Sequence, residues 1–258
     1  KLMDSCVAHF SSLDKKLLDI YLYSNKAPSV FKKKNIDETV EIAKDSSQVA
    51  LFIPSSMINS YEYHSDLQDD DFVISQFINE YEDKLIQDIS SMKIKYYENV
   101  IYLFDKNLLD EINYAFSSLN AEIYIYPEHL LGKFINNEAI FKINDRINFL
   151  FENQTGSSLI NSQIDEFVKI INNEYPNFNP VVDEKLKDIT SNRKSEFYKF
   201  DLKKIHRKLL NNIELDCINF FSRFYSIPIV LSRLSLTLNQ LIILLFLFLI
   251  IFIYPYAQ

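Results

Sequence analysis

Four histidines (His9, His64, His129 and His206), two cysteines (Cys6 and Cys217) and the carboxylates Asp66, Asp69, Asp70 and Asp71 are the side chains whose chemistry matters first. A metal site needs His or Cys repeated at helical or loop ligand spacing, and none of these residues has such a neighbour. The histidines therefore read as ordinary surface or half-buried residues. The cysteines form neither a zinc site nor a disulfide framework, which suits a reducing compartment. The aspartate run lacks the glycine turn and distal glutamate of a calcium loop, so helix capping accounts for it better. No serine stands in a nucleophile-elbow context.

Glycine is the most telling count. Gly132 and Gly156 are the only two in 258 residues, where ordinary usage of about 7% would give roughly eighteen. Backbone that curls around a phosphate is sterically cheap only at glycine, so neither a P-loop nor a dinucleotide fingerprint fits this chain. The expectation is a binding protein, with no catalytic residue, no cofactor and no metal. A net charge of -8 and a pI near 5.1 argue against nucleic acid as the main partner, because phosphate binding needs a concentrated cationic surface.

Charge is unevenly spread. Tyr61 to Ser90 holds nine acids against the single base Lys84, a block that would steer a basic partner. Within it Glu80, Glu82, Asp83 and Asp88 are the candidate partner-binding residues. Between Glu184 and Lys208, nine basic residues face four acidic ones, a stretch suited either to an anionic leaflet or to a solvated helix face.

The elements that would position these groups follow from periodicity. Leu17 to Tyr23, Val49 to Ile53 and Met57 to Tyr63 read as strands; the second is a continuous apolar run stopped by Pro54, as in an interior strand. Val73, Phe77, Tyr81, Leu85 and Ile89 recur every four positions and predict one helix docked on a sheet. A strand at Val100 to Phe104, a helix from Asn107 to Leu119 and a strand at Ile123 to Tyr126 make an alternating unit. Ala139 to Ile143 and Ile147 to Phe151 read as a hairpin turning at Asn144 and Asp145, with a helix following over 161–174. Asn172 to Pro180 reads as the exit from a domain spanning 1–175. The predicted class is α/β, and no internal repeat of solenoid length is evident.

From Leu234 to Ile253 there are twenty residues without a charge, enough for roughly 30 Å of helix. A transmembrane helix is expected over 233–254, with Leu236, Leu241, Leu245, Phe248 and Ile253 facing lipid, and Tyr254 and Tyr256 at the interface. Arg223 and Arg233 before the span place the N-terminal part in the cytoplasm by the positive-inside rule. Residues 176–232 then form a basic, partly helical juxtamembrane segment, and 255–258 a short periplasmic end.

The order of these elements resembles the type II secretion system protein L family over roughly residues 17 to 254. The resemblance is carried by Val49-Ala50-Leu51-Phe52-Ile53-Pro54, by the acidic stretch Phe77 to Asp88, by Val100 to Phe104 with the helix behind it, by Tyr124 to Leu131, and by Ile218-Asn219-Phe220-Phe221 ahead of the span. None of these motifs is catalytic. The resemblance implies an actin-like (RNase H-like) cytoplasmic domain that has lost or weakened nucleotide binding, in a single-pass protein of the bacterial inner membrane. It further implies a homodimer that recruits the cytoplasmic secretion ATPase and couples it to membrane partners, including protein M. The rival readings are a platform protein of a type IV pilus machine, an actin-like ATPase, and a tail-anchored protein unrelated to secretion.

Overall fold

The computed structural model describes residues 4–12, 14–24, 28–85, 88–160, 163–189, 196–211 and 219–222, all within one compact unit, Lys1–Ser222. The predicted membrane span, with Leu236, Leu241, Leu245, Phe248 and Ile253, lies outside the described residues. Among the described residues no helix is long and apolar enough to cross a membrane.

The chain opens with β1 (Ser5–Ser12), β2 (Leu17–Tyr23) and β3 (Ser29–Lys34), an antiparallel meander. The next element, α1 (Ile36–Ala43), starts at a capping box: Asn35 Oδ1 accepts from Glu38 N at 2.8 Å and Glu38 Oε2 accepts from Asn35 N at 3.1 Å. Then β4 (Gln48–Ile53) lies parallel to β1, Cys6 opposite Val49. Five of its six residues are buried, because a central parallel strand is covered on both faces. Pro54, lacking an amide proton, ends it.

An excursion follows. The strands β5 (Ile58–Glu62), β6 (Met92–Tyr97) and β7 (Val100–Asp105) form a separate antiparallel sheet in the order β5-β7-β6. Against it packs α2 (Asp70–Tyr81), through Val73 and Phe77. The single helix expected through Leu85 and Ile89 is not formed: α2 ends at Tyr81, and short 3-10 turns occupy Glu82–Lys84 and Ile89–Ser91. A spacing of four drifts about 40° per step on a helix of 3.6 residues per turn, so a stripe that long cannot keep facing one sheet. The helix α3 (Lys106–Phe116) leads to β8 (Glu122–Pro127), which joins β4 in parallel and completes the order β3-β2-β1-β4-β8.

The second sheet repeats that plan. An antiparallel meander, β9 (Ala139–Ile143), β10 (Arg146–Leu150) and β11 (Gly156–Ile160), is followed by a helix, α4 (Ile164–Glu174), and then by β12 (Val181–Asp183), parallel to β9, and β13 (Glu196–Tyr198), parallel to β12. Its order, β11-β10-β9-β12-β13, matches the first sheet position by position. The expected turn at Asn144 is present, with Asn144 in the left-handed region at φ 52°. Asn172 to Pro180 is not an exit: the chain returns to the sheet as β12 and β13. It continues into α5 (Leu202–Asn211), whose Ile205 and Leu209 are fully buried between the two sheets' side chains. Part of the segment expected to be juxtamembrane thus belongs to the fold.

The last described residues return to the first half. Asn219 Oδ1 accepts from Ile125 N at 2.8 Å, Phe220 N donates to Ile125 O at 2.9 Å, and Ser222 N donates to Asn113 Oδ1 at 3.0 Å. Phe220 is fully buried, with its ring 5.9 Å from those of Tyr102 and Phe104. The edge of β8 is thereby capped by the chain itself, which removes a row of open backbone groups.

Candidate functional site

Ligands of open α/β sheets sit beyond the carboxyl ends of the parallel strands. At those ends this chain places its own charges. Glu128 follows β8 directly, Ser55 stands two residues past the end of β4, behind Pro54, and Arg146 opens β10 just after the β9 turn. Glu128 is completely buried. It accepts from Arg146 Nε at 3.1 Å and Nη2 at 3.0 Å, from His9 Nδ1 at 3.2 Å and from Asn148 Nδ2 at 3.3 Å. Burial alone would raise the Glu128 carboxyl, but His9 and Arg146 outweigh it and hold its pKa below the ordinary value. Arg146 Nη2 and Asn144 Nδ2 both donate to the Phe10 carbonyl near the end of β1, which brings the two meanders together.

The network runs on to α5. His9 Nε2 lies 2.8 Å from His206 Nε2, and His206 Nδ1 lies 2.8 Å from the Tyr23 hydroxyl. Burial, and then the neighbouring His9, push the His206 pKa well below its usual value, and burial pushes Tyr23 up. Beside this network, Ser55 donates to His129 Nδ1 at 2.6 Å, and His129 Nε2 donates to the Gln154 carbonyl at 3.1 Å. That pair has the connectivity of a nucleophile and its base. However, His129 is fully buried and Ser55 nearly so, and burial drops the imidazole to about 4. Gly156 is required beside it, because a Cβ there would meet the His129 ring at 2.2 Å. Ser55 also borders a cavity of about 440 Å³ lined by Ser56, Ser60, Ser157 and Phe167, with no ionisable carboxylate, amine or imidazole among the described residues of its wall.

Three of the four histidines therefore differ from the expected surface or half-buried kind: His9, His129 and His206 are buried, and only His64 is exposed. Their side-chain partners are 74 to 197 residues away in sequence, so no local spacing could announce them. Among the described residues no group of three or more His, Cys, Asp or Glu is arranged to hold a metal ion.

The predicted partner-binding residues occupy a different place. Glu80, Glu82 and Asp83 cluster at the end of α2, and Asp88 caps the following 3-10 turn through Ser90 N at 2.9 Å. All four are exposed. Lys84, the only base of that block, stands over the Tyr81 ring at 4.7 Å, a cation–π contact.

No family model matches the chain, and no curated protein matches it. Among solved structures, it is similar to the cytoplasmic domain of EpsL, an inner membrane component of the type II secretion system of Vibrio cholerae. The TM-score is 0.56 at 11% identity, over 85% of this chain and 98% of that domain. At that identity the likeness is one of fold: residues 4–222 hold a mixed α/β domain of the same kind.

Proposed function

We propose that the chain is an inner-membrane platform component of a type II secretion system. It recruits the cytoplasmic secretion ATPase and couples it, as a homodimer, to protein M and other membrane partners. The observation that carries this reading is the likeness to the EpsL cytoplasmic domain over nearly that domain's full length. The repeated strand order of the two sheets supports the actin-like assignment. A nucleotide-binding enzyme needs an open crevice at the strands' carboxyl ends, and here Glu128, Arg146, His9 and Asn148 bond to one another in that position. This filling supports a scaffold rather than an ATPase.

In this reading Glu80, Glu82, Asp83 and Asp88 form the ATPase-facing surface, since an exposed acidic face speeds encounter with a basic one. The apolar stretch 233–254 anchors the domain in the membrane. Phe220, wedged into the first core, takes up force arriving from that side. The test is affinity purification of the detergent-extracted full chain from its native membranes. The secretion ATPase is expected to co-purify with the wild type and to be lost with the Glu82→Lys, Asp83→Lys pair. Recovery of the chain without the ATPase, or wholly in the detergent-free aqueous fraction, would overturn the assignment.

A further inference from the structure

The contact between His9 and His206 joins α5 to the first sheet inside a site with no access to water; both imidazoles are at least 99% buried. Its protons can be placed without ambiguity. The Glu128 carboxylate accepts from His9 Nδ1, so that nitrogen carries a proton. In the neutral pair His206 Nε2 then donates to His9 Nε2, and Tyr23 donates to His206 Nδ1. Each donor and each lone pair along the relay is used once, and the Glu128 and Arg146 charges cancel.

One more proton breaks this relay. Between two Nε2 atoms 2.8 Å apart there is room for a single hydrogen, so a second one there would set the two rings N–H to N–H, one of them an imidazolium. The other solution turns Tyr23 into an acceptor and puts a cation on the buried pair, whose nearest carboxylate, Glu128, is already matched by Arg146. The groups facing His206 are His9 from β1, Tyr21 and Tyr23 from β2, and, one step further, Glu128 and Arg146. Asp201, just before its own helix, and Arg207, on it, act on Tyr23. Among the described residues no carboxylate touches His206 to stabilise its charged form.

We propose that the His9–His206 pair is an acid-released latch that holds α5 against the first sheet and lets it undock when a second proton enters. Undocking would free the helix that carries Ile205 and Leu209 and would loosen the path from the second sheet to the Asn219–Ser222 wedge. The low intrinsic basicity of buried His206 sets the sign: the undocked state binds the proton more tightly. Acid therefore favours release below the ordinary histidine value of about 6.5, by up to tenfold per pH unit.

Hydrogen exchange of the full chain in detergent micelles between pH 7.5 and 5 tests this, corrected for intrinsic exchange. Amides of Ile205 to Leu209 should lose protection up to tenfold per unit below about 6.5, while Val49 to Phe52 keep theirs. Protonation of the other buried imidazole, His129, would instead loosen β11, which provides an internal control. In a His206→Gln chain the α5 response should flatten. Equal loss of protection in α5 and β4, or no loss in α5, would overturn the latch. Should that variant not fold, the imidazole NMR titration of wild-type His206 decides: a midpoint well below 6.5 supports the latch, and one at or above 6.5 refutes it.

Discussion

The two five-stranded sheets share one strand order but differ in their fourth connection. Between β4 and β8 the first half inserts a three-stranded sheet, α2 and α3. Between β12 and β13 the second half shows only the 3-10 segment Glu184–Ile189 among the described residues. The inner strands β1, β4, β9 and β10 are largely buried, and the insertion carries the exposed acids of the Tyr61–Ser90 block. The proposed partner surface thus lies on the inserted crossover, while the repeated frames meet at Glu128 and Arg146 at the strands' carboxyl ends.

The seam between the halves offers the largest effect. Glu128→Ala leaves Arg146 buried without its carboxylate and should cost about 3–5 kcal/mol in denaturant unfolding. Phe220→Ala removes a wedge present in the first half and should cost a similar amount, about 3–5 kcal/mol, by the same measurement. If the first core tolerated that loss, the asymmetry drawn between the halves would be wrong.

Acid should act next. His129 has its folded pKa lowered to about 4, so its contribution to stability is intact above the ordinary value of about 6.5. That contribution is lost as pH falls toward 4, amounting to about 3 kcal/mol at most. Unfolding free energy measured against pH should show this slope, and His129→Gln should lessen it. Smaller again, Asn35→Ala breaks the α1 capping box and should lower stability by about 1 kcal/mol. The Glu82→Lys, Asp83→Lys pair should leave stability within about 0.5 kcal/mol while abolishing ATPase capture. That result would separate the insertion's role from the frame's.

Much of the frame could be read from residues alone. The unbroken run ending at Pro54 marks β4, and apolar alternation with Asn144 and Asp145 marks the β9–β10 hairpin. Other elements gave no such signal. Ser5, His9 and Ser11 interrupt β1, and three lysines disguise the edge strand β3, whose outer side is solvated. The repeat of strand order lies in backbone pairing, which no side-chain pattern records. The seam was illegible for the same reason: His9, Glu128, Arg146 and His206 meet only because two sheets and α5 converge. The asparagine-rich stretch before β12 has the composition of a linker, yet pairing with β9 overrides it.

The chain's own side chains, Glu128, Arg146, His9 and Asn148, occupy the position beyond the strands' carboxyl ends where open α/β sheets hold ligands, and we propose that no nucleotide binds there. Calorimetric titration of the detergent-solubilised full chain with magnesium-ATP tests it most directly. No saturable heat is expected at concentrations up to the millimolar range, and stoichiometric binding in the micromolar range would contradict the account.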